Sequence, residues 1–208
     1  MTTYSPCITK LSASQELQKR IFDLFFVSVG FLFTGWLILA AWVAASLDTR
    51  SNGFFIQKRV GRNGKVFRIV KIKTMCPITD FDTVVTRRGD PRITPLGAFF
   101  RRTKIDELPQ LWNVLLGDMS FVGPRPDVPG FADTLRGEAL AMLSLRPGIT
   151  GPATLKYRNE EEILSEQVDP ESYNRQVIWP DKVRINLEYI CSWSLRRDIG
   201  YIMKTVFH

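Results

Sequence analysis

Asp106 and Glu107 stand side by side in the stretch KIDELPQLW, residues 104–112, just ahead of Pro109. Proline is tolerated in the first turn of a helix, where the backbone N–H groups lack intrahelical partners. The pattern therefore predicts a helix over ELPQLWNVLL that begins at or near Asp106 or Glu107 and stops at Gly117. Neighbours on a helix point about 100° apart, so the two acids do not share a face and suit two different tasks. An ionised aspartate can attack phosphorus and form an acyl phosphate. Attack on an anionic diphosphate needs its charge cancelled, which Mg²⁺ held by one or two carboxylates, Asp106 or Glu107, together with substrate oxygens can do. Arginines can clamp the remaining oxygens in bidentate fashion. Arg125, held between Pro124 and Pro126 in FVGPRP, sits on a loop stiff enough for such a clamp. A second reading of the same residues is structural: Thr103-x-x-Asp106 has the form of a capping box.

Other chemistries are excluded by composition. The single histidine is His208, which leaves no Ser-His-Asp triad, no HExxH zinc site and no Cys-His pair. The sequence contains no GxxxxGK[ST] or GxGxxG loop. A formal net charge of +7 over 208 residues points to an anionic partner: nucleic acid, a membrane surface or phosphorylated small molecules. Cys7, Cys76 and Cys191 are scattered without metal-ligand spacing, which favours free thiols in a reducing compartment.

The elements that must position the acid pair begin with residues 24–47, a charge-free stretch bracketed by Asp23 and Asp48. As a helix it reaches about 36 Å, against roughly 30 Å of bilayer hydrocarbon. Lys10, Lys19 and Arg20 precede it, and Arg50, Lys58, Arg59, Arg62 and Lys65 follow it. The positive-inside rule holds both flanks on the cytoplasmic side, which favours a re-entrant helix that breaks near Thr34-Gly35 and returns. A plain spanning helix is the alternative. Residues 49–79 carry eight basic residues and no acid, and within them FFIQKRV and KVFRIVKIKTM read as two strands around Asn63-Gly64. Such a hairpin could rest on anionic headgroups. DPRITPLGAFFRRT reads as a loop entering a short helix, RPGITGPA (146–153) as a loop, and the acid run of 159–171 as a solvated helix face. Residues 182–207 carry an apolar stripe that could pack on the core or lie in the membrane interface with Trp193 as anchor.

The segments KRIFDL, FFIQKRVGRNGKVFRIVKIKTM, DPRITPLGAFFRRTKIDELPQLWNVLLGDMSFVGPRP and RPGITG, in that order, resemble the bacterial sugar transferases, the monotopic polyprenyl-phosphate phosphoglycosyl transferases. The resemblance runs from about Lys19 to the C-terminus and implies transfer of a phosphosugar from a UDP-sugar to undecaprenyl phosphate, with release of UMP. It makes Asp106 the nucleophile of a covalent phosphosugar intermediate and gives Glu107 a share in holding Mg²⁺. It makes Arg101, five residues before the aspartate, and Arg125, framed by Pro124 and Pro126, phosphate binders. Lys71 matches the family's K-F-R-T-M segment, while Ile72 and Lys73 replace its Phe and Arg. Where the family breaks its re-entrant helix at Ser-Pro, this chain has Thr34-Gly35-Trp36.

The expected fold class is α+β: a re-entrant membrane helix over residues 1–48, then a cytoplasmic catalytic domain over 49–208 with a small basic hairpin and short amphipathic helices at the membrane interface. The expected location is the cytoplasmic face of the bacterial inner membrane. The expected partners are UDP-sugar, undecaprenyl phosphate and anionic phospholipid. Nucleic acid is not among them, since no reader motif is present. The rival function is a non-catalytic basic adaptor on anionic lipid.

Overall fold

The computed structural model describes residues 10–76 and 90–207. Cys7 and His208 lie outside them. The first element, α1 (Ala13–Thr49), runs 37 residues from a capping box in which Ser12 and Gln15 exchange side-chain and backbone bonds. The helix is continuous through Thr34-Gly35, so the expected interruption there is not seen. Thr34 Oγ1 donates back to Gly30 O at 2.7 Å, within the helix, and no proline forces a break. It ends at Arg50 in the left-handed conformation.

This is the one described helix long and apolar enough to cross a membrane, and only 11% of its most apolar window is buried. That share is too low for the core helix of a soluble protein. One side of the helix is open along its length, from Leu17, Ile21 and Phe25 through Leu32, Phe33, Trp36 and Leu39 to Leu47. The other side is packed towards both ends. Val27 joins Ile69, Leu111, Val114 and Met119 in one apolar cluster, while Ala41 and Ala45 join Ile72 and Phe100 in another. The buried valine, isoleucine, leucine, methionine and phenylalanine side chains among these contribute about 1.5–3 kcal/mol each.

Ile69 and Ile72 belong to a single strand, so both arms of α1 seat on the same element. That strand is β2 (Val66–Ile72), paired antiparallel with β1 (Phe54–Val60) from Phe54↔Ile72 to Val60↔Val66. The turn between them bears out the hairpin reading: Asn63 and Gly64 both take positive φ, 56° and 74°. Half of the eight basic residues turn to protein partners rather than outward. Arg59 bonds Pro126 O, Arg62 pairs with Glu16, Lys71 with Glu107, and Lys73 with Ser51 Oγ.

Helix α2 (Pro95–Thr103) is capped by Thr94 and has Pro95 in its first turn. After it comes a 3-10 turn over Ile105–Glu107, then α3 (Gln110–Leu116), closed by Gly117 at φ 88°. The helix thus starts at Gln110, a few residues later than the sequence implies. Strand β3 (Ser120–Val122) pairs in parallel with β4 (Gly148–Thr150), so part of the 146–153 loop is a short strand. A Cβ on Gly148 would collide with the backbone nitrogen of Gly123, and glycine there is what allows the two segments to meet.

The C-terminal part adds α4 (Pro152–Lys156), α5 (Glu160–Ser165), α6 (Pro170–Tyr173), α7 (Trp179–Cys191) and α8 (Leu195–Phe207). Val183, Leu187, Ile190 and Trp193 enter the largest core cluster with Val60, Val122 and Met142. Trp193 is buried and donates to Asp198 Oδ2 at 3.1 Å, so it is no interfacial anchor. Asp198, 0% exposed, accepts Lys19 Nζ at 2.6 Å and the Tyr189 hydroxyl at 2.6 Å. This buried network ties α8 and α7 to α1. The acid run is not simply solvated either, since Glu160 pairs with Lys182 and Glu161 lies 3.7 Å from Arg101. Cys76 is a free thiol, but Cys191 is disulfide-bonded, against the expectation of free thiols throughout.

Candidate active site

The acid pair lies where α2, β2 and the Pro124–Pro126 loop converge. Lys104 takes a left-handed conformation at the end of α2, which turns the chain sharply into the 3-10 turn that carries Asp106 and Glu107. The capping-box reading fails, because Thr103 belongs to α2 and its Oγ1 donates to Phe99 O at 2.8 Å.

The two carboxylates have different surroundings. Glu107 Oε1 accepts from Lys71 Nζ at 3.0 Å and from Arg125 Nη2 at 2.7 Å. Burial acts to raise its pKa, but Arg125 and then Lys71 outweigh burial and hold the pKa well below the ordinary carboxylate range. Lys71 is itself pushed down by burial, with Glu107 opposing that shift. Asp106 is 8% exposed and its Oδ1 accepts no hydrogen bond among the described residues. Burial, and then the charge of Glu107, push its pKa up, while Lys71, Lys104 and Arg101 pull in the opposite direction. One acid is thus locked by cations and the other is held without a partner.

The loop carrying Arg125 is fixed by backbone bonds to β4 and β1. Gly123 N donates to Thr150 O at 2.9 Å, Gly148 N donates to Pro124 O at 2.8 Å, and Val60 N donates to Asp127 O at 2.9 Å. Arg59 Nη1 adds a bond to Pro126 O at 3.1 Å. Arg59, Asp127, Gln110 and Asn113 were not singled out by the sequence. Asn113 joins α3 to β2, taking Val70 N on Oδ1 at 3.1 Å and donating Nδ2 to Arg68 O at 2.7 Å, and so sets Lys71 against the acid pair. An asparagine in the apolar run QLWNVLL was the available signal. Gln110 is 2% exposed, and its Nε2 has no partner among the described residues.

Lys71, Asp106, Glu107 and Arg125 are therefore brought together, with Pro124 and Pro126 framing the arginine. Arg101 sits at the margin, donating from Nε to Thr74 Oγ1 at 3.1 Å and from Nη2 to Met75 Sδ at 3.7 Å. Lys73 points to Ser51 and does not join the group. Among the described residues no cluster of three or more His, Cys, Asp or Glu side chains gathers. That donor set is too small for a cage built by protein alone. It does fit Mg²⁺, which takes one or two carboxylates and completes its shell with water and phosphate oxygens, and the unbonded Asp106 Oδ1 is one such donor.

Residues 14–208 match the family model described as bacterial sugar transferase. Among curated proteins, the chain is 36% identical over 197 residues to the UDP-glucose:undecaprenyl-phosphate glucose-1-phosphate transferase of Caulobacter vibrioides, covering 92% of this chain and 69% of the relative. It is 34% identical over 206 residues to the protein of the same name from Escherichia coli, covering 96% and 41%. It is also 34% identical over 219 residues to the galactosyl transferase CpsE of Streptococcus agalactiae, covering 98% and 44%. The chain thus spans less than half the length of the last two.

Proposed function

The chain belongs to the bacterial sugar transferase family, and on that premise we propose that it moves a phosphosugar from a UDP-sugar to undecaprenyl phosphate, releasing UMP. The observation that carries this reading is the division of labour in the acid pair. Two cations occupy Glu107 Oε1, and the adjacent Asp106 Oδ1 is left unbonded in a cationic setting.

In the first step a carboxylate oxygen of Asp106 forms a bond to the sugar-bearing phosphorus of the UDP-sugar. The bond from that phosphorus to the bridging oxygen breaks, and UMP departs with the electron pair. In the second step a phosphate oxygen of undecaprenyl phosphate bonds to the same phosphorus, and the Asp106 carboxylate leaves. The two substrates use one phosphate site in turn, which gives ping-pong kinetics. Arg125 and Lys71 balance the charge of Glu107 and face the diphosphate, and Arg101 supplies further positive charge from the margin. Asp106 or Glu107, with diphosphate oxygens, would hold Mg²⁺, which would supply positive charge against that of the diphosphate. The sugars in the relatives' names differ, glucose in two and galactose in the third, so family membership leaves the sugar open.

For topology, we read α1 as membrane-embedded with both ends on the cytoplasmic face, as the anchor of a catalytic domain over 49–208. The support is that Val27 and Ala41 pack on the same strand, β2, so a bilayer cannot pass between the two arms. The exposed apolar side chains of α1, Phe25, Leu32, Phe33, Trp36 and Leu39 among them, then face lipid, and α8, with Ile199, Met203 and Val206 exposed, lies along the interface. The experiment for the function is a panel of UDP-sugars with undecaprenyl phosphate and Mg²⁺, scored by UMP release. Salt-sensitive vesicle binding with no UMP release from any sugar would support the adaptor instead.

A further inference from the structure

Helix α8 presents three faces. Asp198 and Thr205 turn to the protein, Thr205 meeting Thr150 across a 2.6 Å hydroxyl contact. Ile199, Met203, Val206 and Phe207 are exposed. Arg197, Gly200, Tyr201 and Lys204, at helical spacing between those two faces, line a groove of about 390 Å³ against Glu188 and Ser192 at the end of α7.

Depth and charge say what this groove suits. Asp198 is bonded to Lys19, five residues before the charge-free stretch of α1 begins at Leu24. A helix tied to that flank of α1 stands beside the membrane-embedded helix, where lipid headgroups lie. Glu188, the carboxylate of the groove, is already paired with Arg184 at 2.6 Å. Arg197 and Lys204 form no ion pair among the described residues. Arg197 Nη1 donates to Ser192 O at 3.0 Å, which orders the guanidinium, and the Tyr201 ring is set edge-on against Tyr189 at 5.9 Å. An ordered arginine, an uncompensated lysine and a tyrosine hydroxyl thus stand beside an apolar stripe.

We infer that this groove seats the phosphate headgroup of an anionic phospholipid whose acyl chains run along Ile199, Met203 and Val206. The inference rests on the membrane-embedded reading of α1 and adds to it a discrete lipid site remote in sequence from the acid pair. It is distinct from a diffuse basic surface, because it depends on two named cations.

The test compares the full chain with the double variant Arg197→Gln/Lys204→Gln for binding to phosphatidylcholine vesicles with and without phosphatidylglycerol. Both proteins bind the phosphatidylcholine vesicles through α1. Phosphatidylglycerol strengthens wild-type binding, and the variant loses roughly thirtyfold of that gain. An equal gain in both proteins overturns the inference. Loss of the gain on adding soluble glycerol phosphate also overturns it, since the groove would then be a site for a free anion. A raised KM for undecaprenyl phosphate in the variant overturns it in favour of an acceptor site. Failure of the wild type to bind phosphatidylcholine vesicles removes the premise and the inference with it. UMP release, measured on both proteins in parallel, is unchanged if the groove is a lipid site, so the proposed activity stands or falls separately.

Discussion

Arg125 donates from Nη2 to Glu107 Oε1 at 2.7 Å, joining a proline-framed loop to an acid pair 18 residues away in the chain. Lys71 shares the same oxygen from β2. Removing the arginine leaves Lys71 as the one remaining direct cation partner of Glu107 and takes positive charge from the diphosphate. Arg125→Ala is expected to lower kcat/KM for UMP release by about a hundredfold to a thousandfold. Arg125→Lys is expected to recover part of this, because it restores charge without the planar fork. Steady-state kinetics on the two variants checks both.

The acid limb of the pH profile follows from Asp106. Burial and Glu107 raise its pKa, and in the proposed reaction the attacking form is the ionised one. Log kcat/KM should therefore rise with pH through an apparent pKa above that of an ordinary aspartate and level off above it. Glu107 stays ionised throughout that window, since Arg125 and Lys71 hold it low. Replacing Glu107 with Gln removes one cause of the shift, so the limb of any residual activity should move to lower pH.

Stability should respond to Asp127, whose burial pushes its pKa up to about 6 from 3.8. The folded state then binds the proton more tightly than the unfolded chain. The contribution is complete below about pH 4 and is lost as pH rises through about 6, by a few kcal/mol at most. Thermal unfolding in micelles should show Tm falling across that window, and Asp127→Asn should flatten the fall.

The Lys19–Asp198 pair gives a sharper test of packing. Lys19 is 5% exposed and Asp198 fully buried, so Lys19→Met leaves a carboxylate without its cation and should cost about 3–5 kcal/mol. The double variant Lys19→Met/Asp198→Leu should recover much of that loss. Denaturant unfolding of the two variants separates a true coupling from simple loss of packing.

Topology is checked by cysteine accessibility. With both arms of α1 on β2, a cysteine placed near position 10 should stay unlabelled by a membrane-impermeant reagent added outside intact cells. Labelling there would show that α1 spans.

The sequence announced the parts whose chemistry is local. The Asn63-Gly64 turn acts through near neighbours and took the form expected, and the charge-free run from Leu24 is helical as its composition implies. What it hid depends on contacts made across the chain. Pro109 placed the acid pair near a helix start, but Lys104 in a left-handed conformation inserts a separate 3-10 turn first. Trp193 looked like a membrane anchor until Asp198 and Lys19 drew it inward. Asn113 and Arg59 were silent because their roles are bonds to backbone atoms of distant segments. The break near Gly35 did not appear, since a threonine back-bond alone leaves the helical ladder intact.

The most direct test of the account is a chase with a UDP-sugar labelled on its sugar-side phosphorus, in Mg²⁺ and without acceptor, on wild type and Asp106→Asn. The account predicts up to one label per chain on Asp106, discharged by undecaprenyl phosphate, and neither label nor UMP release in the variant. UMP release at the wild-type rate from Asp106→Asn would contradict it.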